Sequence, residues 1–310
     1  MRVLLWHVHG SWTTAFVQGA HEYLLPVLPD RGADGLGRAR TWRWPDTVRE
    51  LPPERLRREP VDVVVLQRPH ELELAERWLG RRPGRDVPAI FLEHNAPQGR
   101  IAEMRHAMAD RPELTVVHVT HFNALFWDTG ATPTRVIEHG IVDPGERYTG
   151  ELPRAAVVIN EPRRRGRVTG TDLLGALGAD VPLDLFGMKA AELGGIEDLP
   201  QAHLHEEMGR RRVYLHPIRW TSLGLSLIEA MHLGMPVVAL ATTEVPEAVP
   251  PEAGIVSTRV DVLRDGLRRL VEDREQARLM GKAARAAALA RYGLGRFLAD
   301  WDALLAEVTR

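Results

Sequence analysis

The chain has 310 residues, a formal net charge of −2, and 44% hydrophobic against 26% charged residues. This length suffices for two domains of ordinary size, and the balance is that of a globular protein without the strong positive field of a nucleic-acid-binding chain. Because there is no cysteine, disulfides, thiolate nucleophiles, cysteine–zinc sites and iron–sulfur clusters are excluded. No signal peptide and no run of about 18 apolar residues is recognisable. We therefore expect a cytoplasmic protein, and the abundance of Ala, Arg, Gly and Pro is typical of a bacterial genome.

The N-terminal half alternates apolar runs with segments of helical periodicity. Strands are predicted at residues 3–8, 61–66, 89–92, 114–119 and 136–138. Helices are predicted at residues 13–25, 69–79, 101–109 and 121–127. The segment 29–47, rich in Gly, Arg and Trp, shows no period. Strand–helix alternation of this kind predicts a parallel sheet.

After a turn-rich linker at 144–153, the same alternation starts again. Strands are predicted at residues 156–159, 183–186, 213–216, 236–241 and 253–256. A helix that Thr169 or Thr171 can cap ends at residue 177, and further helices are predicted at residues 201–208, 260–272, 274–291 and 294–308. These patterns predict two doubly wound α/β domains, 1–148 and 149–292, with a cleft between the carboxyl ends of their strands.

The segment 219–241 is predicted to be a loop, a helix and a buried strand. Ser222 can cap the helix, and Gly234 stops it. The first turn, at Leu223-Gly224-Leu225, carries no acid, so its N–H groups and the helix dipole favour a bound anion such as a phosphate. Glu229 lies on the face opposite the apolar Leu227 and Met231, where its carboxylate suits the hydroxyls of a ribose.

The run Thr221-Ser-Leu-Gly-Leu-Ser-Leu-Ile-Glu-Ala-Met-His-Leu-Gly-Met-Pro-Val-Val-Ala resembles the donor-site signature of retaining GT-B glycosyltransferases of group 1, family 4. Its Glu-Ala-Met-x-x-Gly-x-Pro-Val-Val part occupies residues 229–238, and the turn at 139–143 is also similar. The resemblance implies two Rossmann-like domains, with a C-terminal helix, 293–310, that packs back on the N-terminal, acceptor-side domain. It also implies transfer of a sugar from a nucleotide-sugar donor with retention of configuration, without a metal or a cofactor.

Two departures from the signature bear on the site. The first glutamate of the family signature is replaced by Thr221, so Thr221 and Ser222 are the residues expected near the donor sugar. At the family's Lys-Gly position this chain has Thr169-Gly170. We expect arginines of the preceding loop to bind the phosphates instead, because guanidinium forks fit phosphate geometry. The candidates are Arg163, Arg165 and Arg167, with Arg219 as a further one.

In the N-terminal domain the resemblance implies two site residues. His94 follows a strand and matches a histidine that the family places at the donor sugar, and Gly10 lies in the loop after the first strand. Trp12 and Trp220 flank candidate site loops, and such rings can stack on sugars or bases. The acceptor is expected to be a small molecule, a glycan or a lipid-linked sugar. No nucleic-acid partner is expected, and peripheral contact with a membrane is compatible with the sequence.

Three alternatives stay open. The first is a metal-dependent hydrolase, because six histidines fall at or near predicted strand ends of the N-terminal half: His7, His9, His94, His118, His121 and His139. The second is a GT-B protein that binds nucleotide sugars without catalysis, which the replacement at Thr221 motivates. The third is a nucleotide-sugar epimerase of the same architecture.

Overall fold

The computed structural model describes residues 1–40 and 42–310, which form two compact units. Unit 1 comprises Met1–Val142 and Leu294–Arg310, and unit 2 comprises Asp143–Gly293. The chain thus passes into unit 2 close to the predicted linker, and its last helix belongs to unit 1. Thr41, within the segment that shows no period, lies outside the described residues.

The elements over the described ranges are as follows. The strands are β1 (Arg2–Leu5), β2 (Glu22–Pro26), β3 (Val48–Leu51), β4 (Val63–Leu66), β5 (Ala89–Glu93), β6 (Thr115–His118), β7 (Thr134–Val136), β8 (Leu152–Val158), β9 (Leu183–Phe186), β10 (Arg211–His216), β11 (Val237–Leu240) and β12 (Gly254–Ser257). The helices are α1 (Gly10–Phe16), α2 (Pro53–Leu56), α3 (Glu71–Leu79), α4 (His121–Phe126), α5 (Gly166–Thr169), α6 (Leu174–Leu177), α7 (Gln201–Arg210), α8 (Leu225–Leu233), α9 (Val245–Ala248), α10 (Val260–Glu272), α11 (Arg274–Tyr292) and α12 (Leu294–Val308).

The strands of unit 1 form a parallel sheet in the order β3-β2-β1-β4-β5-β6-β7. Its central strands are apolar without alternation, as in Val63–Leu66, because helices and loops cover both faces. On one face, α12 packs against α1 through an aromatic cluster. Trp301 lies edge-on to Trp12 and Phe16, with ring centroids 5.6 and 4.9 Å apart. Trp12 is buried there, so it is a core residue rather than the stacking platform that its position in the sequence suggested.

Two helices predicted in this unit are wrong. The predicted helix 13–25 ends at Phe16, and Glu22–Pro26 is a strand instead. Tyr23, Leu24 and Leu25 are buried because this strand pairs in parallel with both β1 and β3. The predicted helix 101–109 is only a 3₁₀ turn at Ile101–Glu103. In both cases short apolar runs matched helical spacing, although tertiary pairing or loop contacts decided the structure.

Unit 2, every residue of which is described, has five parallel strands in the order β12-β11-β10-β8-β9. The predicted helix from Thr169 or Thr171 to residue 177 is broken into α5, a 3₁₀ turn at Thr171–Leu173 and α6. Gly170, with φ +73°, interrupts it in the left-handed region, and neither threonine side chain caps the following turn. Within the ranges 1–40 and 42–310, no helix has both the length and the apolar character that crossing a bilayer requires.

Close packing of α11 holds α8 against the sheet of unit 2. A Cβ atom at Gly281 of α11 would lie 2.0 Å from the carbonyl oxygen of Gly234, the C-cap of α8. No real side chain tolerates that distance to a backbone atom. The glycine therefore sets how near the two helices approach.

We predict that Gly281→Ala destabilises the protein by roughly 1–3 kcal/mol, because the added methyl overpacks the contact with Gly234. Gly295→Ala in α12 is the matched control, since nothing lies within 4 Å of its added Cβ. That helical substitution should stabilise by about 0.4–1 kcal/mol. Urea unfolding followed by circular dichroism measures both, and equal stabilities for the two variants would contradict the packing argument.

Candidate functional site

The carboxyl edge of the sheet in unit 2 is where ligand-binding loops are expected to meet. β9 lies on one side of β8 and β10 on the other, so the connections after β8 and β10 leave from neighbouring strands at a point where the strand order reverses. Crevices at such points are where open α/β sheets bind ligands. The two loops are joined directly, because the backbone N–H groups of Arg219 and Trp220 donate to the Val168 carbonyl at 2.9 and 3.2 Å.

Gly170 makes this junction possible. A Cβ atom there would lie 1.9 Å from the carbonyl oxygen of Pro217, and φ is +73°. The Thr169-Gly170 pair, which stands at the Lys-Gly position of the resembled signature, is thus the point at which the loop after β8 contacts the loop after β10. Both the space and the backbone conformation require glycine.

The amino end of α8 opens at the same edge. The helix begins at Leu225 with Gly224 as its N-cap, and no side chain caps it, so the prediction that Ser222 is the cap is wrong. Ser222 and Leu223 are buried, and Thr221 is half-buried. Because the N-cap has no side chain, the positive end of the helix dipole at this turn favours an anion.

His216 lies directly beneath this helix start. A Cβ atom at Gly224 would be 2.6 Å from the imidazole Cε1, so only glycine fits over the ring. Within the described residues neither ring nitrogen of His216 has a hydrogen-bond partner, and burial lowers the pKa of this histidine to about 4. The imidazole is therefore neutral near pH 7, and it adds no positive charge to the helix end.

Glu229, the candidate ribose ligand, is 5% exposed and faces α7. Its Oε2 accepts a hydrogen bond from the Gln201 side-chain amide at 3.0 Å and lies 3.4 Å from Nε2 of His205. Gln201 and His205 are also within hydrogen-bond distance of each other, at 2.8 Å. Because the amide nitrogen of Gln201 can only donate, His205 Nε2 accepts from it, and the Gln201 amide is the donor that orients the buried carboxylate.

In the loop after β8, Arg163 and Arg167 are exposed and Arg165 is half-buried. Arg163 donates to the carbonyl oxygen of Glu192 at 2.8 Å, and Arg167 is 81% exposed, 3.6 Å from Asp172. The side chain of Arg165 makes no hydrogen bond or ion pair within residues 1–40 and 42–310. These side chains can reorient toward an anion at little cost, since exposed ion pairs contribute little stability.

Arg219 is committed to the junction of the two loops. Its guanidinium forms a two-pronged pair with Asp172, with Nη2 to Oδ2 at 2.9 Å, and also donates to the carbonyl oxygen of Arg167 at 2.7 Å. This guanidinium holds the pKa of Asp172 below its ordinary value. Arg219 therefore has a visible structural role, whereas Arg165 does not.

In unit 1, His94 and its neighbours lie at the carboxyl edge of the sheet. His94 is buried, 4.0 Å from the ring of His9, and its Nε2 lies 2.9 Å from the amide oxygen of Gln67. The Gln67 amide nitrogen donates to the Trp6 carbonyl at 2.6 Å, which orients the amide so that His94 Nε2 is the donor. Desolvation, together with the nearby His9 and His139, lowers the pKa of His94 well below its ordinary value.

Gly10, the other expected site residue in this unit, opens α1 beneath an indole ring. A Cβ atom there would be 3.3 Å from Nε1 of Trp42, a tight distance that the indole has to relieve. The observed reason for a small residue at this position is therefore the approach of Trp42.

The histidines do not assemble into a metal-ligand arrangement. Across residues 1–40 and 42–310, no group of three His, Asp or Glu side chains is placed to share a metal ion. His106, which the sequence analysis did not identify, lies with Nε2 3.1 Å from the carboxylate of Glu93. His118 is buried, and in the described part of the chain neither of its ring nitrogens has a hydrogen-bond partner. The pattern of histidines at strand ends, which motivated the metal-dependent hydrolase alternative, thus lacks the geometry of such a site.

Comparison with known proteins places the unit 2 edge in a wider context. Residues 195–287 match the family model described as glycosyl transferases group 1, and this segment contains α7, β10 and α8. Among proteins with curated descriptions, none matches this chain in sequence.

Several solved structures are similar in fold. Sucrose-phosphate synthase from Thermosynechococcus elongatus has a TM-score of 0.74 at 15% identity, covering 99% of this chain and 98% of that one. Anabaena HepE in complex with UDP-glucose has a TM-score of 0.71 at 14% identity, covering 99% and 100%. S. aureus TarM has a TM-score of 0.61 at 13% identity, covering 78% of this chain and 55% of that one. The expected fold class is confirmed: two parallel-sheet α/β domains, as in GT-B glycosyltransferases.

We predict that the stability of the protein falls with acid. Burial lowers the pKa of His9, His118 and His216 to about 4 and that of His139 to about 3. Below the ordinary value of 6.5 the unfolded chain therefore binds protons that the folded chain does not. Above pH 6.5 these four histidines do not reduce the free energy of unfolding. As the pH falls from 6.5 toward 4, each of them lowers that free energy by at most about 1.4 kcal/mol per pH unit.

Urea unfolding at neutral pH and near pH 5 tests this, with His118→Leu expected to reduce the loss. His121→Leu is the control, because His121 is exposed and should leave the dependence unchanged. Identical pH dependence in the wild type and His118→Leu would contradict the assignment.

Proposed function

We propose that this chain is a group 1, family 4 glycosyltransferase that moves a sugar from a nucleotide donor to an acceptor hydroxyl, with retention and without a metal. The observation that carries the proposal is the carboxyl edge of unit 2. There a buried carboxylate and an uncapped helix N-terminus lie in the segment 195–287 that matches the glycosyltransferase family model. The arginine-containing loop after β8 precedes that segment and meets the loop after β10 where the strand order reverses.

The ribose and the diphosphate of a nucleoside diphosphate each have a candidate partner at this edge. Glu229 accepts hydrogen bonds from the ribose hydroxyls, because it is ionisable, oriented and already adapted to donors. The amino end of α8, at Leu223-Gly224-Leu225, binds the diphosphate. Arg165 and Arg167, with Arg163 beside them, add the charge that the missing lysine of the signature would supply. The complex of HepE with UDP-glucose supports a nucleotide sugar as the donor class.

The reaction breaks the bond between the anomeric carbon and the diphosphate oxygen, and the electron pair leaves with the phosphate. The transition state is oxocarbenium-like, so the protein has to stabilise charge on the departing phosphates. The acceptor oxygen forms the new bond to the same face of the anomeric carbon, and its proton passes to the leaving phosphate oxygen. No general base on the protein is needed for this front-face route.

In unit 2 the donor sugar is assigned to Thr221 and Ser222. In unit 1 the candidate catalytic residues are His94 and Gly10, both implied by the family resemblance. Thr221 is shorter than glutamate and neutral, so the contacts to the sugar hydroxyls differ from those implied by the family signature. The same replacement favours a nucleotide-sugar-binding protein without transfer activity as the second candidate.

We predict that Glu229→Gln weakens binding of the preferred nucleoside diphosphate by roughly ten- to a hundred-fold, because a charged acceptor of the ribose is lost. Glutamine keeps the side-chain shape and an acceptor for the Gln201 amide. Calorimetry with UDP, GDP, ADP and dTDP identifies the base and measures the change. Glu252→Gln, an exposed change in the same unit, is the control. Unchanged affinity in Glu229→Gln would refute the ribose role.

We predict that donor turnover, measured as release of the nucleoside diphosphate from the nucleotide sugar, persists in excess chelator. Protein groups alone neutralise the leaving group in this proposal, namely the α8 amino end and the arginines of the loop after β8. Magnesium or manganese added back should change the rate less than two-fold. A strict requirement for a divalent cation would overturn the metal-independent assignment, whereas nucleotide binding without any turnover would favour the non-catalytic candidate.

A further inference from the structure

A cavity of about 260 Å³ opens beyond the end of β1 in unit 1, on the carboxyl edge of the sheet. It is separate from the edge of unit 2 assigned to the donor, and its size lies just below the roughly 300–1,000 Å³ of drug-sized ligand sites. A single sugar ring is a ligand of that scale. The lining residues are His7, Leu36, Arg38, Ala39, Arg40 and Trp42.

The cavity has an aromatic wall. Trp42 is half-buried over Gly10, in contrast to Trp12, which is enclosed in the core. An indole face next to a polar cavity suits the C–H face of a pyranose ring, because aromatic side chains combine a large apolar surface with a polar edge. Because Gly10 has no side chain, the Trp42 indole can pack closely against the backbone at that position.

The cavity also has an imidazole with a defined tautomer. His7 Nδ1 lies 3.1 Å from the carbonyl oxygen of Gly37, so Nδ1 carries the proton and donates. The ring is held edge-on to Trp44, with centroids 4.8 Å apart. Burial lowers the pKa of His7, which keeps the ring neutral. Its Nε2 is therefore an acceptor that a sugar hydroxyl can use.

Positive charge at the cavity is not balanced by ion pairs. The Arg38 guanidinium donates to backbone carbonyls, among them Trp44 at 2.8 Å and Pro45 at 3.1 Å. Among the described residues, Arg40 and Arg43 form no ion pair, and both are exposed.

The described acidic residues in this part of the chain do not form ion pairs with the cavity arginines. The Asp34 carboxylate pairs with Arg68 at 3.2 Å and with His70 at 2.8 Å. The Glu50 carboxylate pairs with Arg31 at 2.8 Å. Asp46 is exposed on the same loop and pairs with neither of the two cavity arginines, Arg38 and Arg40, in the described part of the chain. An arginine left without a carboxylate beside an aromatic wall is suited to an anionic group on a ligand.

We propose that this cavity is the acceptor subsite and that the acceptor is a sugar carrying a negative charge, a phosphate or a carboxylate. The ring stacks on Trp42, a hydroxyl donates to His7 Nε2, and the anionic group binds Arg40. This assignment rests on the proposed glycosyltransferase function, which it extends by naming the acceptor class.

Ligand-observed NMR titration of the full chain, without donor, tests the subsite. The probes are glucose 6-phosphate, glucuronate, glucose and inorganic phosphate. At least one of the two charged sugars should bind about ten-fold or more tightly than glucose and than phosphate, because only it engages both the ring and the charge. Which charged sugar binds distinguishes a phosphate from a carboxylate. Equal binding of glucose, or no binding of either charged sugar, would overturn the proposal.

Variants locate the bound probe. Arg40→Gln should weaken the charged sugar about ten-fold and leave glucose unchanged, and Trp42→Ala should weaken both. Arg58→Gln is the matched control, because Arg58 is an exposed arginine of unit 1 just before β4, at the amino edge of the sheet. A charged sugar whose affinity is unaffected by Arg40→Gln and Trp42→Ala binds elsewhere, which would refute the assignment. Thermal unfolding checks that each variant is folded.

Calorimetry with nucleoside diphosphates on the same preparations separates the two proposals. Nucleotide binding without binding of a charged sugar would overturn the acceptor subsite and leave the proposed function standing. Binding of the charged sugar that Arg40→Gln weakens, without nucleotide binding, would keep the cavity as an anionic-sugar site while removing its role in transfer.

Discussion

The pairing of β10 beside β8 determines where unit 2 can bind a ligand. With β9 on the other side of β8, two connections leave the sheet from adjacent strands and must pass close to each other. The close contact of Gly170 with Pro217 and the two N–H groups on the Val168 carbonyl follow from that constraint. The amino end of α8 is reached by the second connection, so the helix dipole is aimed at the same edge. The position of this candidate site is therefore a consequence of topology before it is a property of any side chain.

The buried polar side chains near this edge are accommodated in two different ways. A carboxylate as buried as Glu229 is costly unless a donor faces it, and Gln201 supplies one from α7. His216 differs, because burial keeps its ring neutral beneath Gly224, so it adds no charge at the amino end of α8. The site therefore depends on α7 and β10 as much as on α8, which carries its most recognisable residues.

Elements specified by local pattern could be predicted from the sequence, and contacts between distant segments could not. α10 and α12 have the predicted bounds, because their apolar periodicity and stop signals are local. The strand Glu22–Pro26 was missed because pairing with β1 and β3, not propensity, makes it extended. For the site, the position of Glu229 and the glycines around α8 follows from the signature. Its partners Gln201 and His205 are 28 and 24 residues away, and no spacing rule connects two helices across that distance.

Burial limits the acid–base chemistry that His94 of unit 1 can perform. Gln67, oriented by the Trp6 carbonyl, accepts from His94 Nε2, and desolvation with neighbouring histidines keeps the ring unprotonated. A neutral imidazole whose one N–H is already engaged by an amide oxygen has no proton to give to a leaving group at neutral pH. In the proposed transfer, its contribution is hydrogen bonding and shape, and the acceptor proton leaves by another route. The leaving diphosphate, which we propose to bind at the amino end of α8, is the base in that proposal.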